Sequence, residues 1–335
     1  MSAREIKLLA VLLNWRTPDM TARAAEALAR ALDGLDAEMV IVDNDSGDGS
    51  EATLRALVEG AEWPVPARVV QSGRNGGFAF GNNAGIRAGR SDGARPDYVY
   101  VLNSDAFPAP DAVRVLIDHL ERHPQDGFAG SQLWSEDMPI HISAFRFPTI
   151  ASEFEGTART GIVTRALHKY RVPFLDLTRT RPVDWLAGAS MLMRQDMLDE
   201  VGLLDDGFFL YFEETEHFFR ARQQGWTATY LVESRVEHLG SVSTGMKQWA
   251  EVPKYWFDSR WRYFTLCHGR AYAVAATLAR AAGLSVWKLR RLMGAPRLDP
   301  PGTLRRLVRH DLRALFRPAV RHDTRAPRPN PSFAE

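Results

Sequence analysis

Two hydrophobic rhythms alternate through the first 130 residues. Short aliphatic or β-branched runs stand at 6–13, 39–42, 68–70, 98–102 and 128–133. Between them, apolar residues recur at helical intervals over 18–32, 49–58, 78–88 and 111–121. The first helix has a clear start in Thr17-Pro18-Asp19, a capping residue followed by proline at the first helical position. Strand–helix alternation predicts an α/β fold, a mostly parallel Rossmann-like sheet flanked by helices. Such sheets bind ligands beyond the carboxyl ends of their strands, so the loops after the strands are where chemistry is sought.

The rhythm blurs over 135–182, where Pro, Arg and aromatic residues show little period, as in an insertion or flexible cover. It returns at 183–194, in a helix over 213–224 and in a strand over 227–232, and a long helical region follows Pro253. This divides the chain into a catalytic domain over 1–250, a basic helical extension over 251–320 and a disordered tail over 321–335. The longest apolar runs, 8–13 and 271–279, are far short of the roughly 20 residues that span a bilayer. Arg4 and Lys7 precede the first run in the manner of a signal sequence. The run ends in Asn14-Trp15-Arg16 with no small-residue cleavage site, so it reads as a buried strand.

Composition changes this picture in two ways. A single cysteine, Cys267, rules out an internal disulfide and a cysteine-held zinc. The net charge of +1 conceals an asymmetry: residues 269–335 carry 14 Lys and Arg against 4 Asp and Glu, and the preceding 268 carry 28 against 37.

Four loops hold the candidate chemistry. Asp43-Asn44-Asp45-Ser46-Gly47-Asp48-Gly49-Ser50 has the acidic spacing of a calcium loop, but Asp48 and Leu54 stand where that loop needs glycine and glutamate. Asp43, at a strand end, is placed either to accept hydrogen bonds from a nucleobase or ribose or simply to form a turn. The glycine-rich run 73–85 lets backbone approach a phosphate or sugar, with Arg74 suited to a base or phosphate, or it serves helix–sheet packing. Its spacing matches neither the dinucleotide fingerprint nor the nucleoside triphosphate loop. Asn103-Ser104-Asp105-Ala106 follows the central strand, and Asp105 is a metal-ligand candidate or a cap. The window 205–217 sets aromatic rings against carboxylates at a helix start. Helical spacing puts Glu213 with Glu216, His217 and Arg220 on a polar face. It puts Glu214 with Phe218, Ala221 and Gly225 on an apolar face, where burial would raise its pKa towards that of a useful base.

In order along the chain, VLLNWR at 11–16, IVDNDSGDGS at 41–50, NGGFAFGNNAGI at 75–86, VLNSDA at 101–106, the segment 185–226 and VEHLGSVST at 236–244 resemble family 2 glycosyltransferases of the GT-A fold, nearest to bacterial rhamnosyltransferase-like members. The resemblance implies an inverting enzyme that moves a sugar, rhamnose among the candidates, from a nucleoside-diphosphate sugar to a saccharide or polyprenyl-linked saccharide in cell-surface polysaccharide synthesis. It implies that Asp43 contacts the nucleobase, with Asn14, Asp45, Arg74, Asn75, Asn103 and Ser104 around the donor. Asp105 and His238 would hold Mg²⁺ or Mn²⁺, and Glu213-Glu214 would supply the base, Glu214 in the catalytic place. Trp185, Gly188 and Ala189 would border the acceptor, although Trp185 is equally suited to core packing. The sequence departs from the family pattern at Asn14-Trp15-Arg16, at Ser104, at Glu216-His217 and in having Glu rather than Asp at position 214. That last change leaves room for a second reading, a sugar-nucleotide-binding scaffold without turnover. A nucleotidyltransferase would need a basic glycine-rich loop after the first strand, and residues 14–17 do not provide one.

After Thr303, Leu304, Leu307, Val308, Leu312, Leu315 and Phe316 share a helical face, with arginines at 305, 306, 309, 313 and 317 around it. Such a helix suits the inner face of a cell membrane, the protein's own core or a second subunit in a homodimer. The chain is then expected to be cytoplasmic, or peripheral on that membrane. The basic residues lack the interleaved aromatics and glycines of nucleic-acid modules, so no nucleic-acid partner is expected.

Overall fold

The computed structural model describes residues 5–240, 249–294, 300–317 and Thr324. Its strands and helices follow in the order β1 (Lys7–Asn14), α1 (Pro18–Leu32), β2 (Asp36–Asp43), α2 (Ser50–Gly60), β3 (Ala67–Gln71), α3 (Phe78–Ala88), β4 (Tyr98–Asn103), β5 (Ala106–Pro108), α4 (Ala112–Arg122) and β6 (Asp126–Trp134). There follow β7 (Ala144–Phe145), α5 (Ile150–Ala158), α6 (Gly161–Ala166), β8 (Arg181–Val183), β9 (Trp185–Leu186), β10 (Ser190–Arg194), α7 (Gln195–Val201), α8 (Glu213–Gln223) and β11 (Thr227–His238). Three helices close the described chain: α9 (Lys254–His268), α10 (Arg270–Leu292) and α11 (Thr303–Ala314).

The main sheet runs β3-β2-β1-β4-β10-β6-β11-β5, with β8 also on β11. The β3-β2-β1-β4 half is parallel throughout. Both of its faces are covered, which explains why its strands read as continuous apolar runs. Leu8, Ala10 and Leu12 of β1 pack with Leu28 of α1 and Leu116 of α4, and Leu9 and Val11 face Ile86 of α3 and Phe218 of α8. Strand β10 enters antiparallel between β4 and β6, with Ser190 opposite Leu102. Its start is thereby set beside the carboxyl end of β4. A buried chain of hydroxyls ties the strands across this seam: Tyr100 to Ser190 at 2.7 Å, Ser190 to Ser131 at 2.8 Å and Ser131 to Ser234 at 2.8 Å.

The 135–182 stretch is more ordered than its blurred pattern predicts. Thr149 and Ser152 cap α5 reciprocally, and α5 lies along α10. Gly283 of α10 permits the close approach, because a Cβ there would come within 2.1 Å of Thr157 Oγ1 and 2.7 Å of the Phe154 carbonyl. Beneath this contact Arg260 of α9 is wholly buried. Its guanidinium meets Glu153 of α5 at 2.6 Å and Asp311 of α11 at 3.1 Å, and Thr277 of α10 donates to Asp311 at 2.6 Å. The period was hidden because the buried face of α5 holds Ser152, Glu153, Glu155 and Thr157, with the partners of Glu153 lying more than 100 residues away.

Helix α11 divides its apolar face. Leu307 and Ala314 are buried, Leu304, Val308 and Leu315 are half-buried, and Leu312 and Phe316 remain exposed. Among the described residues no helix is long and apolar enough to cross a membrane. The expected disordered tail, 321–335, lies outside the described residues apart from Thr324, whose carbonyl accepts a hydrogen bond from Leu203 N–H at 2.7 Å.

Candidate active site

Parallel pairing brings the ends of β1, β2 and β4 to one edge of the sheet, and side chains then lock their loops together. Asn14, wholly buried, donates to Asp43 Oδ1 at 2.7 Å and accepts from Thr21 Oγ1 at 2.7 Å. Asp43 also accepts from the hydroxyl and N–H of Ser46 and from Gln71 Nε2 at 2.9 Å. Asn14 and Asp43 thus hold the loop from inside, while Asp45 is exposed beside them, its backbone in the left-handed region. Thr17 Oγ1 donates to Ser104 Oγ at 3.1 Å, joining the first loop to the one after β4.

Asn44, not singled out in the sequence, reaches Asn75 Oδ1 at 3.2 Å and the Gly77 carbonyl at 3.1 Å. It ties the acidic loop to the glycine-rich one. Arg74 is exposed, with its guanidinium 4.3 Å from the centre of the Phe80 ring. Gly77 is required by a further contact, since a Cβ would lie 1.8 Å from the Phe209 carbonyl, and Phe78 N–H donates to that same oxygen at 2.9 Å. The aromatic loop 205–212 is thus docked on the start of α3. Asn83 Nδ2 pins its beginning through the Leu204 carbonyl at 2.7 Å, and Ser259 of α9 holds Leu210 at 3.0 Å. At its end Tyr211 and Phe212 adopt φ of 68° and 69°, a conformation that costs energy for side chains with a Cβ. The turn aims the first residues of α8 back at the sheet edge.

There the polar face assigned from helical spacing is covered as well as the apolar one, on which Phe218 and Ala221 are buried. Glu213, Glu216 and His217 are buried, whereas Glu214 is half-buried. The polar face is covered because the chain after α7 folds over it and supplies carbonyls. Gly202 O accepts from His217 Nε2 at 2.9 Å, and Leu203 O accepts from Arg220 at 2.9 Å, with Glu216 paired to Arg220. The His217 Nε2 proton is fixed by that carbonyl, and burial followed by the Arg220 charge pushes its pKa down to about 3, so the ring is neutral.

Glu214 Oε1 accepts from Gly188 N–H at 3.2 Å, and the next residue, Ala189, accepts from Asn103 N–H at 3.1 Å. This short relay joins α8 to Asn103 at the end of β4. Burial raises the Glu214 pKa above the ordinary glutamate value, outweighing the N–H contacts that favour its charge. Burial and the neighbouring Glu214 together push Glu213 higher still.

Asp105 and His238 are brought together by the β5–β11 pairing, which sets His238 opposite Ala106, and by Leu239 N–H donating to the Asp105 carbonyl at 3.1 Å. Asp105 Oδ1 and His238 Nε2 are 3.3 Å apart. Adjacent ligands of one six-coordinate cation with bonds near 2.1 Å stand about 3 Å apart, so the pair fits two neighbouring positions on a divalent ion. No group of three or more such ligands exists among the described residues. Trp185 is half-buried and stacked on Phe145 at 4.1 Å, with its Nε1 donating to the Arg146 carbonyl at 3.0 Å, so one indole face is already covered.

The family model for Glycosyl transferase family 2 matches residues 14–202. The chain belongs to that family. It is 28% identical over 215 residues to an N-acetylglucosaminyl-diphospho-decaprenol L-rhamnosyltransferase of Mycobacterium tuberculosis, a match covering 62% of this chain and 68% of that protein. It is also 28% identical over 163 residues to the rhamnosyltransferase WbbL of Escherichia coli, covering 47% of this chain and 59% of the relative. Among solved structures, a mannosyltransferase of Pyrobaculum calidifontis in complex with GDP-Man and Mn²⁺ superposes with a TM-score of 0.54 at 14% identity, over 95% of this chain and 83% of the other. TarS 1–349 of S. aureus in complex with UDP-GlcNAc gives 0.55 at 12% identity, over 93% and 82%. The fold of this family 2 member is GT-A, as its sequence motifs predict.

Proposed function

We propose that this family 2 glycosyltransferase inverts the anomeric centre of a sugar, rhamnose in the first instance, as it transfers it from a nucleoside diphosphate to a lipid-linked saccharide of the cell surface. The observation that carries the reading is the Glu214 carboxylate, pKa raised, bonded to Gly188 next to the residue that accepts from Asn103 at the end of β4, with Asp105 and His238 paired just beyond that strand. The rhamnosyltransferase relatives supply the sugar and the acceptor class.

In this reading the donor lies over the ends of β1, β2 and β4. Its base meets the loop that Asp43 organises, next to Asp45, and its sugar and phosphates lie between Arg74, Asn75, Asn103 and Ser104. Asp105 and His238 would hold a divalent cation. When bound, that ion supplies neutralisation of the leaving diphosphate, and an imidazole donor favours Mn²⁺ over the oxygen-preferring Mg²⁺. Glu214 takes the proton of an acceptor hydroxyl as that oxygen bonds to the anomeric carbon. The bond from the same carbon to the diphosphate breaks on the opposite face, with positive charge growing on the ring as in glycoside hydrolysis. Burial keeps Glu214 basic, while its charge raises the pKa of Glu213 buried behind it. Gly188 and Ala189 border the acceptor, and the open side of Trp185 stands near them.

Release of nucleoside diphosphate from dTDP-rhamnose, with UDP- and GDP-sugars in parallel, tests the reading in the presence of Mn²⁺ and a diphospholipid-linked N-acetylglucosamine. Glu214→Gln is expected to lose about 10²–10⁴-fold in turnover while binding the donor as before. Turnover near that of the unaltered protein would remove Glu214 from the role of base.

A further inference from the structure

Helices α9 and α11 enclose a groove of about 390 Å³, walled by Arg306, Arg309, Arg313 and Arg317 on one side and by Lys254 and Phe257 on the other. Some of this charge is spent locally. Lys254 pairs with Asp258, which also meets His310 at 2.8 Å, and Arg306 pairs with Glu251. Arg309, Arg313 and Arg317 have no carboxylate partner among the described residues, so three guanidinium groups converge on the groove uncompensated.

A broad apolar surface accompanies it. Along α10, positions 271, 275, 278, 282, 285, 289 and 292 step by four and three residues and are occupied by Ala, Ala, Leu, Ala, Ser, Leu and Leu, with no charge. Leu278, Leu289, Leu292 and Met293 are exposed, Leu292 to 85%. The α10–α11 pair is antiparallel, for Arg270 meets the Arg317 carbonyl at 2.9 Å and Thr277 meets Asp311. In an antiparallel pair, a step of one residue from the contact line turns 100° to the same side of both helices. Leu278 follows Thr277 and Leu312 follows Asp311, so Leu312 and the adjacent Phe316, itself 85% exposed, extend the α10 stripe. Arg305 and Arg309 stand among them.

We propose that the outer face of α10 and α11 docks on an anionic bilayer, with lipid phosphates held by Arg309 and Arg313 at the rim of the α9–α11 groove and Leu278, Leu289, Leu292, Leu312 and Phe316 entering the headgroup–acyl boundary. Charge complementarity selects this occupant. A two-fold dimer through the same face would bring the Arg309–Arg313 cluster close to its own copy, and like charges oppose that contact. Exposed cations beside exposed large apolar side chains are the composition of an interfacial helix.

The test is flotation of the full chain with vesicles of phosphatidylcholine alone and of phosphatidylcholine mixed with phosphatidylglycerol, read without substrate so that failure leaves the transferase assignment untouched. Binding is expected only to the anionic vesicles. It should weaken about thirtyfold in R309Q/R313Q, as two lost surface cations predict, and at least about tenfold in L292S/F316S, whose altered positions are exposed. Unchanged melting temperatures establish that both variants are folded. Inorganic pyrophosphate is titrated in parallel. Failure to bind anionic vesicles, equal binding by either variant, a dimer that forms through this face in place of vesicle binding, or tight pyrophosphate binding without vesicle binding overturns the proposal.

Discussion

Burial sets the chemistry of Glu213 and Glu214 more than sequence position does. Glu214 is half-open and its pKa is raised, so the rate of transfer should fall on acidification through a value above that of ordinary glutamate, with the acidic limb assigned by its loss of meaning in Glu214→Gln. A single limb at the ordinary glutamate value would contradict the burial argument. Glu213 gives a prediction about stability. Its carboxyl is wholly buried and Oε2 has no hydrogen-bond partner among the described residues. Its folded pKa lies above the unfolded one, so the folded state binds the proton more tightly. Its contribution is fully present below the unfolded value and is lost as pH rises towards the folded value. Glu213→Gln removes that loss, and thermal melting at pH 7.5 is expected to rise by about 2–4 °C, the shift that roughly 1 kcal/mol produces. At pH 4 the gain should shrink. Spacing identified both glutamates and the raised pKa of Glu214 but left Glu213 on an open polar face, because the covering carbonyls of Gly202 and Leu203 come from a segment whose path no helical period records.

At the scale of elements, the joints between helices are polar and buried. Arg260 links α5, α9, α10 and α11 through Glu153, Thr277 and Asp311. His310 extends the network. Burial opposes its charge, but Asp258 on one ring nitrogen and Asp311 on the other outweigh that and raise its pKa. Arg260→Ala would leave buried carboxylates short of their cation and is expected to cost about 3–5 kcal/mol, measured by denaturant unfolding. A loss below about 1 kcal/mol would mean that the pairing contributes little. Helices α1, α3, α4 and α8 were legible because their apolar periods face the sheet. Helix α5 was not, because its buried positions are glutamate, serine and threonine with distant partners. The direction of β10 was equally hidden: an apolar run announces a buried strand, while its antiparallel entry between β4 and β6 is set by pairing.

At the scale of the whole molecule, the C-terminal helices touch both α5 and the aromatic loop. Phe208 shares a cluster with Trp261, Phe264 and Ala273, and Asp205 is paired with Arg262 at 2.6 Å. A chain ending at residue 250 would expose that cluster and leave Glu153 and Asp205 without their arginines. It is expected to be insoluble or to melt well below the full chain, compared by soluble yield and thermal scanning. Equal stability would establish 1–250 as an independent unit. The sequence by itself determined the alternating α/β order, the loops that carry chemistry and the family, since these depend on local period and on short motifs read in order. Only the tertiary structure decided which carboxylate is left half-open, that Asp43 and Asn14 brace their loop from within, that Asp105 meets His238 across 133 residues of chain, and which apolar residues of α10 and α11 stay exposed. Each of these depends on which distant segment covers a side chain, and burial by a remote segment leaves no periodic trace in the sequence it covers.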